Sequence, residues 1–411
     1  MNRSVALALV CLSVGVGTRD ADAVSFQGLG DLPGGSSFSS VQALSGDGRV
    51  AVGSSGSLGP AGARTEAFLW RPDLGMIGLG DLPGGRNDSF ALGVNGDGSV
   101  VVGYSGALAG DGQPKHEAFR WTFEDGMSGL GDLPGGEEVS FAQGVSGDGQ
   151  TVVGYSGATG LNGGNRVEGF AWQQGTGMVG LGDLPGGTAF SRAYAASDDG
   201  SVIVGYSESS RQNGSGRRNE AFVFTADGGM SGLGDLPGGD ENSIALDVSA
   251  DGGTVVGFSS AASRDPFGRD RDAAFIWTSD TGMRALGDLA GGSELSRAYG
   301  VSADGSVVVG EVVAAGGGMF EAFIWREGEG MRLLNEYLVD DLGLDLAGWR
   351  LGPARGVSDD GLTVAGTGVN PSGQMEGWIA RLGEPVPTPS TGVWIAMGVW
   401  RLLSCRRDSA I

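Results

Sequence analysis

Short apolar runs alternate with glycine-rich turns along nearly the whole chain. In one representative stretch, Ser140–Ser146 alternates between apolar and polar residues, and Gly147–Gly149 then supplies an Asp-Gly turn. Thr151–Tyr155 follows as a β-branched apolar run. Period-two alternation and β-branched runs indicate strands, and an Asp-Gly pair between them is a strong hairpin signal. The pattern therefore predicts an antiparallel strand pair here.

Two more strands complete this unit. They are predicted at Glu168–Trp172 and at Met178–Leu184, with a glycine-rich loop of variable length at Ser156–Val167 before the third strand. Four antiparallel strands in succession are the content of one β-propeller blade.

The same unit recurs along the chain. The letters Gly-Leu-Gly-Asp-Leu-Pro-Gly-Gly are repeated, and a Ser/Asn-x-Asp-Gly turn occurs seven times, with its aspartate at Asp47, Asp97, Asp148, Asp199, Asp251, Asp304 and Asp360. A spacing of 50 to 56 residues between these positions is typical of propeller repeats and too long for leucine-rich or ankyrin units.

The two ends of the repeat region complement each other. A Glu-x-Phe-x-Trp box also occurs seven times, and the last copy, Glu376–Ala380, has no fourth strand after it. The chain instead begins with an unmatched fourth strand at Phe26–Leu32. We therefore predict an all-β, seven-bladed β-propeller over residues 24–382, closed by the N-terminal strand, since closure removes exposed sheet edges. An open stack of β-units is the alternative, but it leaves the N-terminal strand unexplained.

The regions outside the repeats indicate export. Residues 1–23 have a positive Arg3, an apolar Val5–Val16 and a small-residue cleavage pattern, which predict a secretory signal peptide. Residues 383–391 form a Pro-rich linker. In the apolar and basic tail at 392–411, Arg401 interrupts the apolar stretch, which is shorter than the ~20 apolar residues that a spanning helix needs. We expect at most transient membrane contact through this tail.

Composition narrows the chemistry. The formal net charge is −23, so an acidic surface would repel nucleic acid. The two cysteines, Cys11 and Cys405, both lie in the predicted targeting regions, and His116 is the single histidine. Thiolate or multi-histidine metal sites and a disulfide framework are thereby disfavoured. We expect no metal and no cofactor.

The repeat resembles a known family. Its Gly-Met-x-x-Leu-Gly-Asp-Leu-Pro-Gly-Gly, Ser-x-Asp-Gly-x-x-Val-Val-Gly and Glu-Ala-Phe-x-Trp segments are similar to those of the bacterial extracellular HAF-repeat family, over most of the chain after residue 23. Where the family has the histidine of His-Ala-Phe, this chain has Glu66, Glu117, Glu220 and Glu321. The resemblance implies an exported bacterial protein and brings no defined activity.

The C-terminal tail carries a second resemblance. Val386-Pro387-Thr388-Pro389 before an apolar segment and a basic end resembles a PEP-CTERM sorting signal, with Thr388 at the place of the usual glutamate and Arg401 interrupting the apolar run. The resemblance implies a sorting transpeptidase as a partner, and release or anchoring at the surface of a bacterium that makes exopolysaccharide.

Repeated acidic and aromatic side chains have two interpretations each. The aspartates of the Gly-Asp-Leu segments and of the Asp-Gly turns could be cation ligands, but calcium needs six or more oxygens at one place. We favour turn capping, in which each carboxylate accepts backbone N–H groups. The Phe and Trp of the third-strand box could form a sugar platform, and we favour packing between blades.

The loops before the third strands break the symmetry of the repeats. Two of them carry arginines on an otherwise acidic protein, namely Arg211, Arg217 and Arg218, and Arg264, Arg269 and Arg271. These arginines are either an anion-binding patch for a surface polysaccharide or solvated loop charges.

Together these features predict a non-catalytic, exported binding or scaffold module of the cell surface or extracellular matrix. Its partners would be a surface polysaccharide or another surface protein. The alternative is a propeller enzyme that acts on polysaccharide through paired carboxylates.

Overall fold

Antiparallel strands make up almost all of the described part of the chain. The computed structural model describes residues 24–59, 62–85, 88–110, 112–159, 165–210, 217–264, 270–289, 295–313 and 319–383. The predicted signal peptide and the tail from residue 384 lie outside the described residues. Ala23–Leu382 form one structural unit, and no helix of the described residues is long and apolar enough to cross a membrane.

The strands follow the repeats in chain order. They are β1 (Ser25–Gly28), β2 (Gly34–Leu44), β3 (Ala51–Gly59), β4 (Gly62–Arg71), β5 (Gly75–Gly78), β6 (Ser89–Val94), β7 (Val100–Leu108), β8 (Pro114–Thr122), β9 (Gly126–Gly129), β10 (Ser140–Val145), β11 (Thr151–Thr159), β12 (Asn165–Gln173), β13 (Gly177–Gly180), β14 (Gly186–Ala196), β15 (Val202–Ser210), β16 (Arg217–Thr225), β17 (Gly229–Gly232), β18 (Gly238–Val248), β19 (Thr254–Arg264), β20 (Asp270–Thr278), β21 (Gly282–Ala285), β22 (Ser296–Val301), β23 (Val307–Val313), β24 (Phe320–Arg326), β25 (Gly330–Leu333), β26 (Arg350–Val357), β27 (Thr363–Val369) and β28 (Met375–Arg381).

Each repeat forms a four-stranded meander. The sheets β2–β5, β6–β9, β18–β21 and β22–β25 have strands paired in sequence order. The units β10–β13 and β14–β17 are joined into one eight-stranded sheet through a single parallel pairing of Val167 with Phe190. The remaining sheet has the order β1-β28-β27-β26, so the first strand of the described chain pairs with the last.

The hydrophobic core lies between neighbouring sheets. The box phenylalanines are fully buried, namely Phe68, Phe119, Phe170, Phe222, Phe275 and Phe323. Phe119 and Trp121 share one cluster with Val52 and Leu69 of the preceding sheet. The prediction that the Phe and Trp of the box pack between repeats is confirmed, because period-two side chains of a central strand face the adjacent sheet.

The strand boundaries differ from the predicted ones in two ways. The predicted loop at Ser156–Val167 is largely strand, since β11 and β12 stay paired as far as Thr159 and Asn165. Small residues such as Gly157 and Ala158 broke the apolar pattern there without breaking the ladder. The fourth strand is shorter than predicted, Gly177–Gly180 instead of Met178–Leu184.

A helical insertion precedes β26. Helix α1 (Leu334–Glu336) continues into a π-helical turn, Tyr337–Asp341. Leu334 and Leu338 are fully buried against Trp378 and Leu351. The insertion therefore adds apolar cover to the sheet that contains both chain ends.

Candidate functional site

The Asp-Gly turns of successive repeats meet one another. Backbone hydrogen bonds of 2.8 to 3.1 Å link these turns to the turns of the next repeat. The N–H donor belongs to the aspartate of the turn or to the residue before it. The bonds are Asp47 N–Gly96 O, Gly96 N–Gly147 O, Asp148 N–Asp198 O, Asp198 N–Ala250 O, Ala303 N–Asp359 O and Asp359 N–Gly46 O. The last of these bonds joins the final repeat to the first. The turns therefore lie side by side about a common axis.

A β-bulge in each first strand points toward this axis. The pairing register of β10 with β11 shifts between Ala142 and Gly144, so Gln143 has no partner residue on β11. The same shift recurs in the first strands of the other repeats. The bulged residues are Gln42, Leu92, Gln143, Tyr194, Leu246, Tyr299 and Arg355. Bulges re-aim side chains and are frequent next to functional sites.

Small residues follow the bulges because the strands approach closely there. A Cβ added at Gly144 would lie 2.4 Å from the carbonyl oxygen of Tyr194 in the adjacent repeat. A Cβ at Gly356 would lie 2.9 Å from Leu44. Close backbone approach thus favours a small residue at this position, and all the repeats have glycine or alanine there except the one with Asp247.

The bulged residues line a cavity of about 180 Å³. Its wall includes Gln42, Gln143, Tyr194, Tyr299 and Arg355. First strands of all the repeats contribute to this wall, and their bulged residues differ in chemistry from one repeat to another.

Arg355 is held by an aromatic ring. Its guanidinium carbon lies 4.0 Å from the centroid of the Tyr299 ring, a cation–π contact. Tyr299 Oη in turn donates to Glu311 Oε1 at 2.7 Å, and burial raises the pKa of Tyr299 to about 12. The phenol therefore stays neutral, and Arg355 keeps its N–H donors available to the cavity.

Asp247 is the acidic member of the cavity wall. Its carboxylate accepts the backbone N–H of Val248 and that of Val301 in the next sheet, each at 2.9 Å. Burial, as the largest effect, raises its pKa to about 7, and the nearby Asp359 raises it further, while the two backbone hydrogen bonds oppose the shift. The side chain retains some access to the cavity although protein surrounds it on all other sides.

Asp198 and Asp359 lie on the ring of turns. Burial is the largest effect that raises the pKa of both. Neighbouring carboxylates add to the shift, namely Asp148 and Asp199 for Asp198, and Asp198, Asp360 and Asp47 for Asp359. Asp359 lies over Gly46, where an added Cβ would come within 2.3 Å of its Oδ2. Carboxyl groups therefore lie close together among these turns.

The aspartates of the Asp-Gly turns cap those turns, as predicted. Asp148 Oδ1 accepts the backbone N–H of Gln150 at 2.9 Å and the Ser146 hydroxyl at 2.6 Å. The same pair of contacts recurs at Asp47, Asp199, Asp251, Asp304 and Asp360.

The aspartates of the Gly-Asp-Leu segments act differently from the prediction. Asp132 pairs with Lys115 at 2.8 Å, and Asp183 pairs with Arg166 at 2.8 Å. Desolvation raises the pKa of Asp183, and the charge of Arg166 partly opposes this. These carboxylates balance basic residues on the third strands rather than only capping turns.

The glutamate of the box completes this ion cluster. Glu117 contacts Lys115 at 3.3 Å, and its Oε1 accepts the backbone N–H of Gly131 at 3.2 Å. Glu66 and Glu168 make the same contact with Gly80 and Gly182. This role of the glutamate was not predicted from the sequence. A basic residue stands regularly two positions before the glutamate, and that pattern could have indicated an ion pair.

The predicted arginine patch is not assembled by the described structure. Arg218 donates to Asp235 at 2.8 Å and to Glu220 at 2.9 Å, with only 9% of its side chain exposed. It is therefore a member of the ion clusters, which corrects its prediction as an exposed anion-binding residue. Arg271 lies on β20 and has a partner.

The other predicted patch residues cannot contribute to a described site. Arg217 and Arg264 lie at the ends of β16 and β19. Arg211 and Arg269 lie outside the described residues. Within the described residues no group of three or more His, Cys, Asp or Glu is placed to hold a metal ion.

Comparison with known proteins gives a fold. No family model matches the chain, and a search of the curated proteins finds no match. Among solved structures, the chain is similar to the β-propeller domain of the Trilobed protease from Pyrococcus furiosus, with a TM-score of 0.52 at 10% identity over 83% of this chain and 96% of that one. That domain is described as having an open velcro topology. This chain has a β-propeller fold.

Two further solved structures have lower scores. Acylaminoacyl peptidase from Pyrococcus horikoshii matches with a TM-score of 0.49 at 10% identity, over 84% of this chain and 53% of that one. A putative TolB from Agrobacterium tumefaciens matches with a TM-score of 0.40 at 14% identity, over 82% and 99%. This propeller thus spans about half the length of the peptidase.

The function predicted from the sequence is wrong by this comparison. The similar propeller is described as a domain of a protease, and the comparison therefore does not support a non-catalytic module of the extracellular matrix.

Proposed function

We propose that this propeller binds peptides and acts beside a peptidase, with the central cavity holding the peptide. The observation that carries the proposal is the wall of that cavity, where the Arg355 guanidinium and the Asp247 carboxyl group lie with the amide side chains of Gln42 and Gln143. The likeness to a propeller domain of a protease agrees with it.

The cavity chemistry suits an extended peptide. Main-chain N–H and C=O groups need both acceptors and donors, which glutamine amides supply, and Arg355 can bind a carboxylate through two N–H groups. A volume of about 180 Å³ is below the roughly 300–1,000 Å³ of ordinary small-molecule pockets. A narrow segment of chain therefore fits better than a compact ligand.

We assign peptide hydrolysis to a partner. A Ser-His-Asp triad in this chain could use only His116. The His116 ring packs edge-on against Tyr104 at 5.3 Å, and its Nε2 lies 3.8 Å from Asp88 Oδ2. These contacts place the imidazole in an aromatic cluster on the first and second strands, away from the cavity wall.

Binding of fluorescein-labelled pentapeptides to the full chain tests the proposal. We expect saturable binding that Arg355→Gln weakens about tenfold or more, because a charge-assisted hydrogen bond contributes about 1.5–3 kcal/mol. Arg71→Gln, which removes an exposed pair with Asp73, is the matched control and should leave binding unchanged. Absence of binding, or equal binding by Arg355→Gln, would contradict the proposal.

We also propose that the propeller has seven blades and is closed by β1. Pairing of β1 with β28 and the hydrogen bond from Asp359 N to Gly46 O support closure. Seven Asp-Gly turns in the sequence support the blade count.

Export remains part of the proposal. The signal-peptide pattern of residues 1–23, the HAF-like repeats and the PEP-CTERM-like tail support a cell-surface or extracellular location and a sorting transpeptidase as a transient partner. Intact mass of the protein recovered from the host tests this: an N-terminus near Val24 and loss of the tail are expected, and a full-length cytoplasmic chain would contradict it.

A further inference from the structure

A second cavity opens between β12 and β14, away from the axis. It has a volume of about 470 Å³ and is walled by Phe141 and Tyr155 on one side and by Phe190 and Arg192 on the other. Val167 lies at its edge. We call this cavity the Arg192 cleft.

Arg192 lies between aromatic rings in this cleft. Its guanidinium carbon is 4.3 Å from the Tyr155 centroid and 5.2 Å from the Phe190 centroid. Its Nε is buried without a hydrogen-bond partner among the described residues. Because burial raises the pKa of Tyr155, and that of Tyr206 to about 12, both phenols stay neutral and neither supplies a counter-charge.

The chain contains the paired version of the same arrangement. Arg297 occupies on β22 the position that Arg192 has on β14, and it stacks on Phe258 at 4.9 Å as Arg192 stacks on Tyr155. Arg297 Nε and Nη2 donate to Asp272 Oδ2 at 2.9 and 2.6 Å, and Nη1 donates to Glu311 at 3.3 Å. The pairing register makes the two positions directly comparable.

Both carboxylate partners are replaced at Arg192. Its cross-strand partner is Tyr206, where Arg297 has Glu311. On the preceding sheet Val167 pairs with Gly157, at the place where Asp272 pairs with Ser260. The Arg192 cleft therefore lies where the Arg297 site has its own carboxylate.

We infer that the Arg192 cleft binds a carboxylate group attached to an apolar or aromatic moiety. The carboxylate takes the place of the Asp272 side chain and accepts from Nε and Nη2 of Arg192, which offers two parallel donors. The apolar moiety packs against Phe141 and Tyr155. If the chain binds peptides, as proposed above, this carboxylate is the C-terminus of a peptide.

Surrounding charges favour a single small anion over an extended one. Arg166 also borders the cleft, but its guanidinium already pairs with Asp183 and Glu168. Glu137 lines the opposite edge and has its own partner. With a formal net charge of −23 on the whole chain, a polyanion would be repelled, whereas one carboxylate can be neutralised by Arg192.

The test uses N-acetylphenylalanine as the probe and N-acetylphenylalaninamide as its uncharged match, with titration calorimetry on the full chain. We expect the acid to bind at least tenfold more tightly than the amide. Arg192→Gln should weaken binding of the acid about tenfold or more, since a charge-assisted pair is lost. Arg297→Gln should leave the affinity unchanged.

A second variant keeps the test independent of any folding defect in Arg192→Gln. Val167→Asp restores the internal carboxylate of the Arg297 site, so it should raise the melting temperature and abolish binding of the acid, whereas Val167→Asn should not raise the melting temperature. Equal binding of acid and amide, or full binding by Val167→Asp, would overturn the inference.

The peptide assignment can fail separately. A pentapeptide that ends in phenylalanine should compete with the acid probe, and its C-terminal amide should not. If neither competes while the acid probe still binds, the cleft accepts a different carboxylate. If the acid probe fails but pentapeptides still bind in an Arg355-dependent way, only the cleft inference falls.

Discussion

Asp247 joins two adjacent sheets by accepting the backbone N–H of Val301 at 2.9 Å. The equivalent positions in the other first strands are glycine or alanine, because neighbouring backbones approach closely there. Asp247 thus occupies a position that is a small residue in the other first strands, and it places an ionisable carboxyl group in the wall of the cavity.

The raised pKa of Asp247 predicts a pH-dependent stability. The folded-state pKa of about 7 lies above the ordinary 3.8. Between these two pH values the Asp247 carboxyl group binds a proton more tightly in the folded state than in the unfolded state. The free energy of unfolding therefore falls as pH rises from about 4 to about 7. Relative to Asp247→Asn, the wild type should lose up to about 4 kcal/mol over this window.

Urea unfolding of both proteins at pH 4, 5.5 and 8 measures this difference. Asp251→Asn is the control: hydrogen bonds lower the pKa of Asp251 below its ordinary 3.8, so its contribution to stability should change little between pH 4 and pH 8. A wild-type-to-variant difference that is constant with pH would show that Asp247 titrates normally.

Arg218 holds two carboxylates at once, and its removal should destabilise the fold. Arg218→Ala leaves Asp235 and Glu220 without their counter-charge in a nearly buried cluster, at a cost of about 3 kcal/mol. Arg71→Ala, at an exposed pair, should change the free energy of unfolding by less than about 0.5 kcal/mol. Equal small effects would mean that the clusters are solvated surface charges.

Phe26 on β1 tests closure of the ring. Its side chain packs against Trp349 at 5.4 Å and against Trp378 at 6.2 Å. Phe26→Ala should cost about 2 kcal/mol if β1 is part of the last sheet, and Gln27→Ala on the exposed face of the same strand should cost little. Thermal melts that match the wild type for both variants would indicate that the N-terminal strand is dispensable.

Gly144 tests the close approach of strands at the axis. An added Cβ lies 2.4 Å from a backbone oxygen of the next repeat, so Gly144→Ala should lower the free energy of unfolding by about 1–3 kcal/mol. At Gly110 the nearest atom is the flexible carboxylate of Glu138 at 3.3 Å, and Gly110→Ala should be tolerated. A tolerated Gly144→Ala would mean that the ring of first strands can relax outward.

Repetition made the β-propeller fold predictable, whereas the candidate sites depend on contacts between repeats. The alternation around Phe141 and the Asp148-Gly149 turn reveal the strands locally, and the period exposes the repeats. By contrast, the partners of Arg218 and Asp247 lie on other strands, and no local pattern shows them. Arg192 becomes informative only beside Arg297, once the register shows which carboxylates it lacks.

The length of the hairpin strands β11 and β12 could not be predicted from the sequence for a related reason. Gly157 and Ala158 continue the ladder of β11 through backbone hydrogen bonds, and backbone bonding leaves no apolar signature. Gly157 also lines the Arg192 cleft.

A crystal structure of the full chain with a bound pentapeptide tests the central proposal most directly. We predict continuous peptide density in the cavity lined by Tyr299, Arg355 and Asp247, with a hydrogen bond from the Arg355 guanidinium to the peptide. Peptide bound only outside this cavity, with Arg355 still stacked on Tyr299 and making no contact to it, would contradict the account.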